Sequence, residues 1–410
     1  MQETDNMYDI IVVGGGIVGL GSAYKLQLRN PNLRILVLEK EDKLSAHQTG
    51  RNSGVIHSGL YYKPGSYKAK NCVEGRRELV KFCQDHNVAH DVCGKVVVAT
   101  DKSELPYLDK IFDTGLQNDV EGIEKITHEQ VLEIEPYCTS AIAAIHVPCT
   151  GIVDYPGVVY KLAELIPGIN NRSEIKTGQE VRHTFEREDH VEVVTQKDRF
   201  YGQQIVFCGG LHSDRLAQQA GVQTDASIVG FRGDYYHLTP EAEHKVKHLI
   251  YPVPNPAFPF LGVHFTRMIE GGIECGPNAV FTFKREGYGK TDFNWKDTRE
   301  ALGFKGTWKL FSKHWKFGLD EYRRAFSKKR FHSQVARLIP SLTMEELTPG
   351  RSGVRAMALG EDGNMIEDFK IEYQGRAIHI LNAPSPAATA GLAIGDEVSR
   401  MAEERFGLKA

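Results

Sequence analysis

Three glycines, Gly14, Gly16 and Gly19, stand in GxGxxG order directly after an apolar run, Tyr8-Asp9-Ile10-Ile11-Val12-Val13, and Glu39 closes a second apolar run twenty residues further on. Strand, glycines, helix, strand and acid at this spacing form a dinucleotide-binding constellation. Gly14 permits the tight turn, Gly16 lets the backbone approach a pyrophosphate, and Gly19 lets the helix pack closely on its strand. Ile17 and Val18 open that helix, whose free N–H groups and positive dipole end suit phosphates. Glu39 can accept hydrogen bonds from both hydroxyls of an adenosine ribose, and its charge would repel a 2′-phosphate. Lys40 follows, and then residues 45–59, Ser-Ala-His-Gln-Thr-Gly-Arg-Asn-Ser-Gly-Val-Ile-His-Ser-Gly. A nicotinamide enzyme would continue its β-α-β repeat here. A polar segment of small residues entering straight after the ribose acid instead points to FAD, with Thr49, Arg51, Asn52, Ser53, Gly54 and Val55 placed to reach pyrophosphate, ribitol and ring.

The elements that must position these residues can be read from periodicity. A helix is expected from about Ile17 to Gln27, others over 66–90, 104–118 and 127–135, and a short strand from Val96 to Ala99. Residues 181–208 read as strands closing in Cys208-Gly209-Gly210, a turn that would return to the FAD and set Val181 against adenine. Ile378 to Leu381 is a late strand, and a closing helix is expected from Pro386 to Met401. Small residues there (Ser385, Ala387, Ala388) would let the helix start approach a planar ring, with Thr389 and backbone N–H groups as donors. Alternation of helices and strands at the two ends, with a strand-rich middle, predicts an α/β and α+β protein. Its Rossmann-like FAD domain is discontinuous (1–90, 151–230 and 345–410), and a strand-rich substrate domain (91–150 and 231–344) is inserted into it.

Composition bounds the function. The chain has 410 residues, 41% hydrophobic and 25% charged, enough for two or three domains. A net charge of −3 gives no support for a nucleic-acid partner. Seven cysteines without a CxxC pair fit a reduced compartment and no zinc or other metal site. The acidic start, Met1-Gln2-Glu3-Thr4-Asp5, shows neither a signal pattern nor an Arg-rich transit pattern. A protein made and kept in the cytoplasm is expected; a mitochondrial one would have had a transit peptide removed.

Further motifs carry a family resemblance. His47-Gln48-Thr49-Gly50-Arg51-Asn52-Ser53-Gly54-Val55-Ile56-His57-Ser58-Gly59, Tyr61-Tyr62-Lys63-Pro64-Gly65-Ser66, Cys93-Gly94-Lys95 and Gly151-Ile152-Val153-Asp154 follow one another along the chain. Arg232-Gly233-Asp234-Tyr235-Tyr236, Leu261-Gly262-Val263-His264-Phe265-Thr266, Gly353-Val354-Arg355-Ala356 and Ala383-Pro384-Ser385-Pro386-Ala387-Ala388-Thr389 complete the set. Together they resemble the L-2-hydroxyglutarate dehydrogenase/oxidase family, within the D-amino-acid-oxidase-like FAD oxidoreductases, over essentially the whole chain. Arg51 departs from a pattern in which histidine is common, so no catalytic role passes to it. The resemblance implies non-covalent FAD and oxidation of L-2-hydroxyglutarate to 2-oxoglutarate, by hydride transfer to flavin N5. Such a reaction needs a base for the hydroxyl proton and cations for the carboxylates. His57 and His264 are the candidate bases, Arg355 the candidate carboxylate partner. Tyr62, Lys68 and one of Tyr235 and Tyr236 are further substrate candidates. Rival readings are a superfamily oxidase acting on an amino acid, secondary amine or glycerol 3-phosphate, and a flavin-binding interaction protein without turnover.

Residues 305–330 hold nine Lys/Arg and two Asp/Glu, with Trp308, Phe311, Trp315, Leu319, Tyr322 and Phe326 at helical steps. That is an apolar stripe on one helix or two short ones around Gly318, and a basic amphipathic helix of this kind suits the inner face of an anionic membrane, with a quinone as electron acceptor. If the stripe instead packs on its own domain, oxygen or a soluble carrier takes the electrons.

Overall fold

The computed structural model describes residues 7–254, 262–383 and 385–408. Leu261 and Pro384 of the motifs above lie outside them. The β-branched run Tyr8–Val13 forms a buried central strand, parallel to Ile35–Leu38 on one side and to Arg199–Phe207 on the other. Glu174–Lys176 extends the sheet in parallel, as does Ala377–Asn382 against Arg199–Phe207, while Val181–Glu186, Val191–Thr195 and Lys370–Gln374 add antiparallel strands. The sheet is therefore built from both ends of the chain and its middle. Helix Ile17–Arg29 covers one face and crosses helix Gly391–Phe406. Glycines let the two backbones touch: a Cβ on Gly21 would lie 2.6 Å from the Gly391 carbonyl oxygen, and one on Gly395 2.4 Å from that of Gly21.

The second sheet, nine-stranded among the described residues, joins Lys95–Ala99, Glu124–Thr127 and Ala143–Val147 to the segments between Ala226 and Phe281 and to Leu347–Gly360. Its longest pairing runs between Ala226–Leu238 and Leu347–Gly360, with Ala226 opposite Gly360 and Leu238 opposite Leu347. Strand Ala226–Leu238 runs through residue 231, and strand Leu347–Gly360 lies beside it. Residues 347–360 are held to the second sheet by an antiparallel ladder whose register shifts between Asp234 and Tyr236, and only from Lys370 does the chain rejoin the first. Three short strands, Val55–Ile56, Gly151–Val153 and His90–Asp91, make a small third sheet.

Three helix expectations shift. The 66–90 helix is Tyr67–His86, capped by the Ser66 hydroxyl accepting from Ala69 N and stopped by Asn87 at φ +55°. The closing helix begins at Gly391, not Pro386, because residues 385–390 form turns with Ala390 N donating to Pro386 O. The 305–330 segment, expected as one helix or two short ones around Gly318, is helix Lys305–Ala325 with a kink at His314, followed by Lys328–Val335. Its stripe is split: Phe311 and Tyr322 pack on the core around Phe231 and Phe281, whereas Trp308, Trp315, Leu319 and Phe326 stay exposed, Trp315 at 59%.

Candidate active site

A cavity of about 1550 Å³ receives lining residues from both large sheets. Drug-sized ligands occupy roughly 300–1,000 Å³, so this volume accommodates a dinucleotide together with a small substrate. Gly14, Gly16, Ile17, Val18 and Gly19 line it, as do Glu39, Lys40, Val181, Cys208 and Gly209. The Glu39 carboxylate is already positioned by backbone: Oε2 accepts from Gly15 N at 2.7 Å and Oε1 from Glu41 N at 2.9 Å. Each oxygen keeps a lone pair for a ribose hydroxyl. Gly14 sits at φ +122°, and a Cβ there would lie 2.3 Å from the Cys208 carbonyl oxygen. The turn between strand and helix is possible only with glycine. The start of the helix, the ribose acid and the 208–209 turn thus converge on one wall, which fits the adenosine and pyrophosphate of FAD.

The polar segment also reaches the cavity, through Thr49, Arg51, Asn52, Ser53 and Val55. Several of its side chains are committed to the protein. Thr49 Oγ1 accepts from Ile17 N at 3.1 Å, taking one of the helix-start donors expected for phosphate. The Asn52 amide donates to Thr49 O at 2.8 Å, while its oxygen accepts from Gly54 N at 2.7 Å. Arg51 lies 3.8 Å over the ring of Tyr288. Lys40 is held among Glu41, Glu286 and His47, its amine 3.0 Å from Glu286 Oε2, so that it is taken by carboxylates. Glu41, His47 and Glu286 could together ligate a cation, but this ammonium already lies among them. Gly54 does not line the cavity; at φ +70° it turns the chain, and its carbonyl accepts from Val153 N.

Ser385, Ala387, Ala388 and Thr389 line the cavity as well. Thr389 is bonded within the protein through its hydroxyl. It is fully buried, and its hydroxyl accepts from His57 N at 3.1 Å and bonds Tyr155 Oη at 2.9 Å. Tyr155 Oη also donates to Val55 O at 2.8 Å. Three segments remote in sequence are pinned at this point.

His57, Tyr62, Lys68, Tyr235, His264 and Arg355 all line the same cavity. Tyr235 and Tyr236 face opposite ways, as adjacent strand residues must: Tyr235 lines the cavity, and Tyr236 packs 4.4 Å from the ring of Phe331. His264 Nδ1 lies 2.8 Å from Gly262 O. A carbonyl only accepts, so Nδ1 carries the proton and Nε2 is left as the acceptor. Its ring stacks on Tyr251 at 3.9 Å. Burial pushes His264 down to about 4 and His57 to about 3, with Lys95 adding to the depression of both. Both imidazoles are therefore neutral at pH 7. Arg355 projects from Leu347–Gly360 and donates to Asn278 O at 3.4 Å. Lys68 lies 4.8 Å over the Tyr62 ring, and burial lowers its pKa against the opposing pull of Glu367.

Sequence reasoning selected neither Tyr61 and Tyr251, which line the cavity, nor Lys95 behind them. The available signal was Lys95 itself, a charge opening the apolar strand Lys95-Val96-Val97-Val98-Ala99.

The profile of the family described as DAO, FAD dependent oxidoreductase, matches residues 9–401. The chain is 48% identical over 400 residues to the L-2-hydroxyglutarate dehydrogenase of Indibacter alkaliphilus, covering 97% of this chain and 100% of that one. To the mitochondrial L-2-hydroxyglutarate dehydrogenase of Nematostella vectensis it is 43% identical, over 98% of this chain and 91% of the relative. Among solved structures, the dithionite-reduced L-alpha-glycerophosphate oxidase from Mycoplasma pneumoniae with FAD bound superposes with a TM-score of 0.79 at 21% identity. That superposition covers 98% of this chain and 95% of the other.

Proposed function

Because the chain belongs to the FAD-dependent oxidoreductases and, within them, to the L-2-hydroxyglutarate dehydrogenase family, we propose that it oxidises L-2-hydroxyglutarate to 2-oxoglutarate. One observation supports this reading beyond the likeness: two neutral imidazoles, His57 and His264, line one cavity with the cations Arg355 and Lys68. FAD, when bound, supplies the acceptor for the hydride leaving C2. Arg355 takes a carboxylate in bidentate fashion, and Lys68 takes the second. The histidine pair accepts the hydroxyl proton, so that the carbonyl forms as the C2–H bond breaks. His264 Nε2 already has the geometry of an acceptor. Tyr235, pushed up to about 12 by burial, stays protonated and keeps an O–H to donate to the substrate. Anaerobic mixing with L-2-hydroxyglutarate, D-2-hydroxyglutarate, L-lactate, glycine, sarcosine and glycerol 3-phosphate tests the reading. Bleaching of the flavin by L-2-hydroxyglutarate alone is expected, and preferential bleaching by another donor would overturn it. The pH–rate profiles of His57→Asn and His264→Asn separate the two bases.

A second reading concerns the electron acceptor. Trp308, Trp315, Leu319 and Phe326 stand exposed on a surface that also presents Lys309, Lys313, Lys316 and Lys329. Aromatic side chains among lysines suit an anionic bilayer surface, where a quinone would take the electrons. No helix among the described residues is long and apolar enough to cross a membrane, so attachment would be peripheral. Binding to anionic vesicles at low salt, lost in a Trp315→Ser, Lys313→Glu, Lys316→Glu variant, is the expected outcome. Indifference of the wild type to such vesicles leaves oxygen or a soluble carrier as acceptor.

A further inference from the structure

Lys95 is 1% exposed, and among the described residues no carboxylate lies within ion-pair distance of its amine. Its Nζ donates to Tyr61 Oη at 3.4 Å and lies 4.8 and 4.9 Å over the rings of Tyr61 and Tyr251. Both tyrosines line the cavity, and the ring of Tyr251 stacks on that of His264 at 3.9 Å. A buried ammonium without a counter-ion is costly. Two aromatic faces recover part of that cost, and an anion in the cavity beyond them would recover more.

The donor sense is fixed. An ammonium has no lone pair, so Tyr61 Oη accepts from Lys95 and must turn its own proton elsewhere. Among the described residues that O–H has no acceptor, and the tyrosine faces the cavity. We propose that Lys95 is a positioning residue of the substrate subsite: from behind the wall it aims the Tyr61 hydroxyl into the cavity and supplies the positive charge that draws a substrate carboxylate there. The proposal deepens the dicarboxylate reading above and rests on it.

The titratable groups facing Lys95 come from several elements. They are Tyr61 and His57 in the loop after Val55–Ile56, Cys72 on Tyr67–His86, Cys149 after Ala143–Val147, Tyr251 on Leu249–Pro252, and His264. Burial holds both thiols and both phenols above their ordinary values and both imidazoles below theirs. Lys95 itself is lowered to about 8 by burial. Between pH 7 and 9 it is the member of this group that changes charge. Lys68, on the cavity wall, is lowered by burial as well.

The test uses FAD-loaded protein and 2-oxoglutarate, followed by its perturbation of the flavin absorbance. Wild-type Kd is expected to rise by about tenfold per pH unit above the Lys95 transition, as one bound cation is lost. Lys95→Met should retain FAD and its melting temperature, raise Kd at pH 7 by about tenfold or more, and flatten that alkaline limb. A purely structural lysine would change melting temperature or FAD retention and leave the limb in place, which overturns the proposal. If Lys95→Met does not fold, Tyr61→Phe keeps the lysine. A Kd raised several-fold with the limb preserved supports the proposal, and a wild-type Kd refutes it. A wild-type flavin indifferent to 2-oxoglutarate removes the dicarboxylate reading and this one together. A responsive wild type with an equally responsive Lys95→Met removes this one alone.

Discussion

Replacing Glu39 separates two contributions that share one carboxylate. It is buried, and each oxygen accepts from one backbone amide, Gly15 N at 2.7 Å and Glu41 N at 2.9 Å. In Glu39→Ala both amides lose their partner. An orphaned buried donor costs about 1–3 kcal/mol, so the two together should cost the apoprotein about 2–6 kcal/mol, less where water enters the space. FAD loses its charged ribose acceptor as well. Hydrogen bonds to charged groups contribute about 1.5–3 kcal/mol, which is roughly 10- to 150-fold in Kd. Glu39→Gln keeps one carbonyl acceptor but turns an amide donor toward the second N–H, so it should fall between the two. Urea unfolding of the apoprotein measures the first quantity, and fluorescence titration with FAD the second. A Glu39→Ala protein that binds FAD within threefold of wild type refutes the assignment of this residue to the ribose, even if its stability falls as expected.

Arg355→Ala should lower kcat/KM for L-2-hydroxyglutarate by on the order of 100-fold or more, because a carboxylate partner is lost; near-normal kcat/KM removes Arg355 from the site. His379 is fully buried, stacks on Phe207 at 4.5 Å, has no partner on either ring nitrogen among the described residues, and is pushed down to about 4 by burial. Being neutral when folded and protonated near pH 6.5 when unfolded, it costs no stability above that pH and roughly 2 kcal/mol at pH 5. His379→Leu should therefore narrow the gap between urea midpoints at pH 7 and pH 5, and an unchanged gap assigns the acid lability elsewhere. Acid precipitation of the yellow holoprotein should leave the flavin in the supernatant, whereas flavin in the pellet would mean a covalent bond.

Much of the fold was legible because its signals are local. The Tyr8–Val13 and Ile35–Leu38 strands, the glycines between them and Glu39 are specified by runs a few residues long, and they fall in one sheet as the spacing requires. What failed depended on partners far along the chain. Pro386 looks like a helix start, yet the Thr389 hydroxyl is drawn to His57 N and Tyr155, and the helix waits until Gly391. The apolar stripe of 305–330 is continuous in sequence, but the kink at His314 lets only part of it meet the core. Lys95 was passed over because a lysine is ordinarily a surface residue. Only the fold shows Tyr61 and Tyr251 closing over it. His57, His264 and Arg355 could be chosen one by one from their motifs, but their convergence on one cavity is a property of the two sheets together.

A sheet assembled from both ends of the chain sets a timetable for synthesis. The strand beside Arg199–Phe207 is supplied by Ala377–Asn382, and the partner of helix Ile17–Arg29 by Gly391–Phe406. The first glycine turn is made long before residues 385–389, and the wall they share does not exist until that later segment has emerged. At about 5–20 residues per second, the nascent amino-terminal half waits on the order of tens of seconds with its apolar helix face uncovered. Cofactor capture in this architecture therefore waits for the segment from Ala377 to Phe406, and a nonsense codon anywhere before Gly391 should yield a colourless, chaperone-dependent product rather than a weakened flavoprotein.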